Sequence, residues 1–183
     1  MPEWYATTLS FLESKRLRLI AATGDVIAED LKGPPALSES LHVSVPDNWP
    51  PELYDRQAMN FAAAQLKDPA ERGWSFWYLV RKQPQPEELL GMCGFKGRPD
   101  LTGSVEIGYS VLAQFQNMGF ATEAASRLVD WAFAHSNVTE VSAETLPHLR
   151  QSIRVLEKNG FSFAGPGSEH GVIRYTMQRS SLD

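Results

Sequence analysis

The sequence predicts an α/β protein with one mixed β-sheet, built as a single domain over residues 1–183. Segments with strand periodicity alternate along the chain with segments of helical periodicity. A strand, a long helix and a second strand follow one another between residues 104 and 145, which is the order of a parallel crossover. With 183 residues, of which 43% are hydrophobic, the chain is large enough to bury one sizeable core.

The first third of the chain is predicted to contain one strand, two helices and a long loop. Polar and apolar residues alternate over residues 15–20, which favours a strand. Residues 24–32 have near-helical spacing and predict a short helix. Five prolines and little periodicity over residues 33–51 predict a loop. Residues 53–67 are predicted as a helix, whose expected buried stripe is Leu53, Met59 or Phe61, Ala62 and Leu66.

Three strands are expected before the longest helix. Residues 74–81 are aromatic and β-prone, and they are expected to pair with residues 89–95 across a short connector. A further strand is predicted over residues 104–112, and the long helix over about 119–135. The face of this helix that is expected to be buried consists of Ala121, Ala124, Ala125, Leu128, Trp131 and Ala132.

The C-terminal part is predicted as a strand, a helix and two closing strands. The strand covers residues 138–145, and the helix covers 149–159 with Gly160 well placed as the residue after its C-terminus. The closing strands are 161–164 and 172–178. The expected sheet has about six to seven strands flanked by about four helices, and it is antiparallel early and parallel around the long helix.

Composition excludes several classes of function. A net charge of −5 and a pI near 5.4 argue against a nucleic-acid partner, which needs clustered Lys and Arg. The single cysteine, Cys93, excludes an intramolecular disulfide and lies in an apolar run that predicts a core residue. The four histidines lack metal-ligand spacing, so no metal is expected. No apolar run approaches the ~18 residues of a membrane span, and no signal peptide is visible, so a cytoplasmic location is expected.

The turn at residues 116–121 is the feature with most functional content. It lies where the strand has ended and the long helix begins. The first N–H groups of a helix lack intrahelical partners and carry the positive end of the helix dipole. Such a turn suits an anion such as a pyrophosphate, and Gly119, which has no Cβ, would let a ligand approach the backbone. From these residues alone, an ordinary strand-to-helix connection remains an equal alternative.

This turn resembles the acetyl-CoA motif of the GCN5-related N-acetyltransferase (GNAT) family, which reads Gln/Arg-x-x-Gly-x-Gly/Ala. The chain has Gln116, Gly119 and Ala121 at the three defined positions. The surrounding sequence is similar to the RimJ/RimL-like branch of ribosomal-protein acetyltransferases. Four stretches carry that similarity: residues 14–20, 106–109, 121–124 and 152–161.

The resemblance implies a GNAT fold that holds acetyl-CoA as cosubstrate. The strand near residues 109–112 would splay from its neighbour and offer backbone groups to the pantetheine arm. An N–H group near Val111 would polarise the thioester carbonyl. The implied cofactor-binding residues are Tyr109, Val111, Gln116, Asn117, Met118, Gly119, Phe120, Ala121 and Thr122.

Glu106 is the candidate general base, because it lies on the strand that would face the acetyl group. A carboxylate in this role acts through a water or in an environment that raises its pKa. The alternative is a solvated strand carboxylate paired with a neighbouring Lys or Arg.

Ser152 is the candidate proton donor to the departing thiolate. Many family members use a Tyr for this step, but that position is Leu156 here. The RimL-type branch has an Asn-x-x-Ser pattern instead. Ser152 matches its serine, and Leu149 replaces its asparagine, which would hydrogen-bond the pantetheine. Leu149 is expected to pack on the helix face instead, and Ser152 is equally open to a local capping role.

The acceptor side is expected to include Trp49 and Trp77, with Trp74 a further candidate, as an aromatic wall. Filling the core is the alternative for these tryptophans. The predicted activity is acetyl transfer from acetyl-CoA to a primary amine, either a protein N-terminal α-amine or a small molecule, by direct attack in a ternary complex. The other reading is a CoA-binding module whose chemistry has decayed. Neither a nucleic-acid nor a membrane partner is expected, and the protein is expected to be a monomer or homodimer.

Overall fold

A computed structural model describes residues 10–180. Within them, eight strands form one sheet, accompanied by five α-helices. The first half contains β1 (Phe11–Glu13), β2 (Leu17–Ala21), α1 (Gly24–Asp30), α2 (Pro34–Leu41), α3 (Arg56–Gln65), β3 (Phe76–Arg81) and β4 (Glu88–Phe95). The second half contains β5 (Ser104–Val111), α4 (Phe120–Phe133), β6 (Glu140–Thr145), α5 (Arg150–Lys158), β7 (Ser162–Pro166) and β8 (Ile173–Gln178).

The sheet is mixed, in the order β1-β2-β3-β4-β5-β6-β8-β7. β5 and β6 run parallel and are joined by the crossover helix α4, whereas the other neighbours are antiparallel. The predicted mixed sheet, the β3–β4 pairing and the crossover are therefore confirmed. The sheet has slightly more strands than expected. The additional strand is β1, which lies before the predicted first strand and is only three residues long.

Adjacent residues of β3 show which helices cover each face of the sheet. Side chains alternate between faces along a strand. The ring of Trp77 lies 5.4 Å from that of Trp131 in α4, whereas the hydroxyl of Tyr78 donates to Asp30 of α1 at 2.8 Å. We call the side with α4 and α5 the α4 face, and the side with α1, α2 and α3 the α1 face.

The prediction of a loop over residues 33–51 is wrong in its first part, where α2 forms. Two prolines open this helix at positions where the missing N–H groups have no intrahelical role. Leu37 and Leu41, four residues apart, bury one side of it completely. The prolines therefore start a helix here and do not break one.

The predicted stripe of α3 is half right. Met59 and Ala62 are buried, whereas Leu53 and Phe61 have exposed fractions of 81% and 65%. Leu53 precedes the helix, which begins after Asp55, whose carboxylate caps the N–H of Ala58 at 2.9 Å.

The long helix and the helix after it follow the predicted patterns. The buried side chains of α4 include Ala124, Ala125, Leu128 and Ala132, while Ala121 and Trp131 pack partly buried against the core. Gly160 lies just past the C-terminus of α5, after the C-cap residue Asn159, and has a left-handed φ of 84°. The N–H groups of Gly160 and Phe161 bond back to Glu157 and Leu156, closing the helix as expected.

Candidate active site

The sheet opens between β5 and β6. The two strands pair in parallel over residues 104–106 and 140–142. From residue 107 to Val111, β5 continues beside β4, while β6 continues beside β8. The expected splay is therefore present, and it leaves a gap at the C-terminal ends of two parallel strands.

Backbone groups of β5 face this gap. The N–H of Leu112 bonds to the carbonyl of Leu90 at 2.9 Å, so even-numbered residues of β5 make the hydrogen bonds to β4. Alternate residues of a strand direct their backbone groups to opposite sides. The N–H groups of Tyr109 and Val111 consequently point away from β4 and towards the gap.

The turn between β5 and α4 exposes its backbone. Residues 116–119 are exposed, and Asn117 and Gly119 have left-handed φ values of 61° and 80°. No side chain caps α4, so the N–H groups of its first turn are open to a ligand. The side chain of Gln116 is engaged within the protein, since its Nε2 donates to the carbonyl of Val111 at 3.0 Å. Gln116 thereby fixes the turn to the end of β5.

Sequence reasoning missed Arg16, which lies against this turn. Its Nη1 donates to the carbonyl of Met118 at 2.9 Å, and its guanidinium carbon lies 4.4 Å from the ring centroid of Phe120. Its Nε donates to Glu123 in the first turn of α4 at 2.7 Å. The two sequence positions are 107 residues apart, so no local pattern reveals the pair.

A groove of about 500 Å³ continues from the turn along α4 towards the end of α5. Its lining includes Ser14, Thr122 and Lys158. Asn159 joins its two sides, because its amide donates to the carbonyls of Thr122 at 3.2 Å and Val155 at 2.8 Å.

Tyr109 and Ser152 meet across the opening of the sheet. The hydroxyl of Tyr109 donates to the carbonyl of Ser152 at 3.0 Å and lies 3.3 Å from its Oγ. Burial raises the pKa of Tyr109 above its usual range, against the lowering effect of the contact with Ser152. Tyr109 therefore keeps its proton at neutral pH. The family resemblance implied a role only for the backbone of Tyr109, so its side chain is an addition to the candidate site.

Glu106 is partly buried on the α1 face of β5 and forms an ion pair with Lys96. The side chain of Lys96 is 65% exposed, compared with 21% for Glu106. Such a pair with an exposed lysine is weak and exchangeable. This geometry is thus compatible with both hypotheses for Glu106, a general base and a carboxylate paired with a neighbouring lysine.

The α1 face of β5 is open next to Glu106. A Cβ built on Gly108 meets no atom within 4 Å. Two residues further, the hydroxyl of Ser110 donates to the carbonyl of Glu52 in the loop before α3. The next residue of that loop, Leu53, is exposed and has a left-handed φ of 70°, which is unusual for a bulky side chain.

The expected aromatic wall is not found at the predicted tryptophans, which lie in the core. Trp77 is 2% exposed on the α4 face, and its indole N–H donates to the carbonyl of Gly73. Trp49 is 6% exposed, and its N–H donates to Asp30 at 2.7 Å. Trp74 is likewise buried, against Trp131. Large rings with one polar atom are stable inside the core once that atom has a partner.

Leu149 also differs from expectation. It was expected to pack with Ile153 and Leu156, which are buried, but it occupies the N-cap position of α5 and is 40% exposed. No side-chain hydrogen bond caps this helix. The start of α5 therefore presents an apolar side chain where a polar cap is usual.

Comparison with known proteins identifies the class. The fold and site define an α/β protein with a split sheet and an exposed turn at the start of the crossover helix, and the pattern of the acetyltransferase (GNAT) domain matches residues 25–162. This match covers well over half of the chain. The chain therefore belongs to the GNAT family of acetyltransferases.

Individual relatives agree with this assignment. The uncharacterized N-acetyltransferase YjdG of Bacillus subtilis is 27% identical over 159 residues, covering 87% of this chain and 94% of that protein. The ribosomal-protein α-N-acetyltransferase RimL has the same fold, with a TM-score of 0.67 at 14% identity over 95% of this chain and 97% of that one. The microcin self-immunity acetyltransferase MccE, solved with acetyl-CoA and AMP, has a TM-score of 0.62 at 13% identity over 91% and 94%.

Two features are absent from the part of the chain that the structure describes. Residues 10–180 contain no group of three or more His, Cys, Asp or Glu placed to hold a metal ion. None of their helices is long and apolar enough to cross a membrane.

Proposed function

We propose that this protein transfers an acetyl group from acetyl-CoA to a primary amine by direct attack in a ternary complex, within a single catalytic domain. The observation that carries the proposal is the uncapped start of α4, which lies beside the opening between β5 and β6. A long cosubstrate with an anionic centre and an extended arm fits this combination of an anion site and a gap lined by unpaired backbone groups.

The residues present fit acetyl-CoA along its length. The turn at residues 116–122 would hold the pyrophosphate through backbone N–H groups, and Gly119 keeps that backbone accessible. The groove next to it would take the nucleotide part, with Lys158 near its phosphate. The pantetheine arm would lie in the gap, against the backbone of Tyr109 and Val111.

The N–H of Val111 is the proposed donor to the thioester carbonyl. It is a rigid backbone group at the end of a paired strand, and its own carbonyl is held by Gln116. Donors fixed in advance stabilise developing charge without further reorganisation.

Glu106 is the proposed base for the acceptor. The open space over Gly108 would let an amine approach β5 from the α1 face, next to the Glu106 carboxylate. A cationic acceptor would replace Lys96, whose side chain is largely in solvent. Deprotonating a lysine ammonium at neutral pH costs about 4 kcal/mol, but an α-ammonium only about 1 kcal/mol. A carboxylate base therefore suits an α-amine better.

Ser152 is the proposed proton donor to the leaving thiolate. Tyr109 anchors the first turn of α5 from across the gap, so the Ser152 hydroxyl is held where the two elements meet. We further propose that the protein acts in the manner of the RimJ/RimL-like branch, on a peptide N-terminus or a small amine. The sequence stretches that match this branch and the fold shared with RimL support that choice.

The decisive experiment measures acetyl-CoA binding by calorimetry and turnover by mass spectrometry against amines and N-terminal peptides. Gly119→Glu is expected to abolish binding, since it places bulk and negative charge at the turn. Unchanged affinity in that variant would refute the assignment of the turn.

A CoA-binding module without catalysis is the second candidate. It is favoured by Leu149 and Leu156, which replace the polar residues that the family resemblance implies. Acetyl-CoA binding without turnover across a broad panel of amines would establish this alternative.

A further inference from the structure

The short segment between β1 and β2 reaches across to the turn before α4. Three hydrogen bonds of 2.7 Å converge on the Glu123 carboxylate, from the Ser14 hydroxyl, the Arg16 backbone N–H and the Arg16 Nε. The Arg16 Nη1 holds the carbonyl of Met118. One arginine thus contacts both the exposed turn and the first turn of the helix that follows it.

Glu123 creates an electrostatic problem for an anion at this position. Its side chain is only 17% exposed and lies in the first turn of α4. Partial burial acts to raise its pKa, but the hydrogen bonds from Arg16 and Ser14 outweigh that effect and lower it. Glu123 is therefore ionised at neutral pH. A carboxylate here stabilises the helix dipole, but it would repel a diphosphate that uses the same dipole.

The third guanidinium nitrogen of Arg16 has a different environment. Nη2 lies 3.3 Å from the place that a Cβ on Gly119 would occupy. Among residues 10–180, no hydrogen bond engages this nitrogen, and the Arg16 side chain is 43% exposed. A donor therefore faces the same space that the missing Cβ leaves open.

We infer that Arg16 is a pyrophosphate-binding residue, which cancels the charge of Glu123, holds the turn through the carbonyl of Met118 and donates through Nη2 to a phosphate oxygen. The inference rests on the proposed function, since it concerns the same turn. Arginine suits this role because its planar fork can serve a carboxylate on one side and a phosphate on another.

The first test compares acetyl-CoA affinity between the wild type and Arg16→Ala by calorimetry. One charge-assisted hydrogen bond corresponds to on the order of tenfold in affinity, so Arg16→Ala should weaken binding at least that much. Arg98→Ala is the matched control. Arg98 is 49% exposed and pairs with Glu71 and Asp68, away from the turn, so this variant should bind as the wild type does.

The second test asks whether charge compensation is part of the effect. In Arg16→Ala the Glu123 carboxylate faces the pyrophosphate without a cation, so adding Glu123→Gln should recover part of the lost affinity. If Arg16 only supports the fold, the double variant should instead bind acetyl-CoA more weakly than Arg16→Ala, because the second substitution removes further hydrogen bonds. A double variant that binds more weakly than Arg16→Ala would overturn the inference.

The third test uses S-acetylpantetheine, which carries the thioester but no pyrophosphate. Arg16→Ala should raise the KM for acetyl-CoA and leave kcat/KM for S-acetylpantetheine within about twofold of the wild type. Equal losses with both substrates would show a structural role only. If the wild type binds no acetyl-CoA, the proposed function fails; if it binds and Arg16→Ala binds equally well, the inference alone fails.

Discussion

Glu106 has two neighbours with opposite implications. Lys96 forms an ion pair with its carboxylate, and Gly108 leaves space beside it on the same face of β5. An ion pair with an exposed lysine contributes little stability. The open space, by contrast, would serve an incoming amine, so the geometry makes catalysis the role to test first.

Glu106→Gln keeps the shape of this side chain and removes its basicity. We expect kcat to fall by about 10²–10⁴-fold, the usual contribution of a general base, with acetyl-CoA affinity within a few-fold of wild type. The loss should shrink as pH rises, because more of the amine then arrives neutral. A pH–rate profile tests this, and wild-type kcat at every pH would leave Glu106 with its ion-pair role alone.

Cys93 provides a test of the direct mechanism. It is completely buried in β4, and burial raises the pKa of its thiol, so it is neither accessible nor ionised. Cys93→Ala should therefore retain turnover, and the small cavity should cost about 1 kcal/mol of unfolding free energy. Complete loss of turnover in a folded variant would instead indicate a covalent acetyl-enzyme.

At the scale of elements, the start of α5 departs most from what the family resemblance implies. Leu149 occupies the N-cap position without a side-chain hydrogen bond. Leu149→Asn should add about 1 kcal/mol to the unfolding free energy by capping α5. It should also lower the KM for acetyl-CoA, because the family asparagine would reach the pantetheine.

Leu149→Ala is the control for that substitution. It removes the same apolar side chain without adding a cap, so it separates the new hydrogen bond from the loss of the leucine. Chemical denaturation of the three proteins gives the comparison. If Leu149→Asn is no more stable than Leu149→Ala, capping at this position has no effect.

The elements differ in how far the sequence predicts them, and the reasons are physical. α4 and the β3–β4 pair were predicted because their own periodicity decides which face they bury. α2 was missed because Pro34 and Pro35 resemble loop punctuation until their place at a helix start is known.

Within the site, the turn at residue 119 follows from a local motif, which is why it could be proposed from sequence. Arg16 and the side chain of Tyr109 could not, since their partners lie 107 and 43 residues away. Helical spacing predicted that Leu53 is buried, but the helix begins three residues later, at Arg56. Contacts across the fold, and the point at which an element begins, are set by tertiary packing.

At the scale of the whole molecule, the α1 face of the sheet carries a layer of buried titratable groups around Asp30. On the α1 face, Asp30 accepts from Trp49 and Tyr78, and its burial raises its pKa in spite of those hydrogen bonds. Tyr54 and Tyr78 lie in the same layer, and burial raises the pKa of each far above the usual range. This layer holds both ends of the loop that contains Leu53, since Trp49 donates to Asp30 and the ring of Tyr54 lies 6.2 Å from that of Trp49.

These raised pKa values predict how stability depends on pH. A group whose pKa is higher in the folded protein binds its proton more tightly there, so its contribution is present below its unfolded pKa and is lost as pH rises above it. For the tyrosines the unfolded value is about 10. The unfolding free energy should therefore fall from about pH 10 upwards, by about 1.4 kcal/mol per pH unit for each tyrosine that titrates only when unfolded.

Tyr54→Phe isolates one of these groups. Its ring stays against Phe76, at 4.7 Å between centroids, while its titrating hydroxyl is removed. Urea denaturation between pH 8 and 11 should show a shallower decline in this variant above about pH 10, with a slope difference that approaches about 1.4 kcal/mol per pH unit at the upper end. Tyr5 lies outside the described residues, and Tyr5→Phe provides a variant with the same chemical change elsewhere in the chain. An unchanged slope in Tyr54→Phe would mean that this hydroxyl titrates alike in the folded and unfolded protein, and that this buried layer on the α1 face opens to solvent before the molecule unfolds.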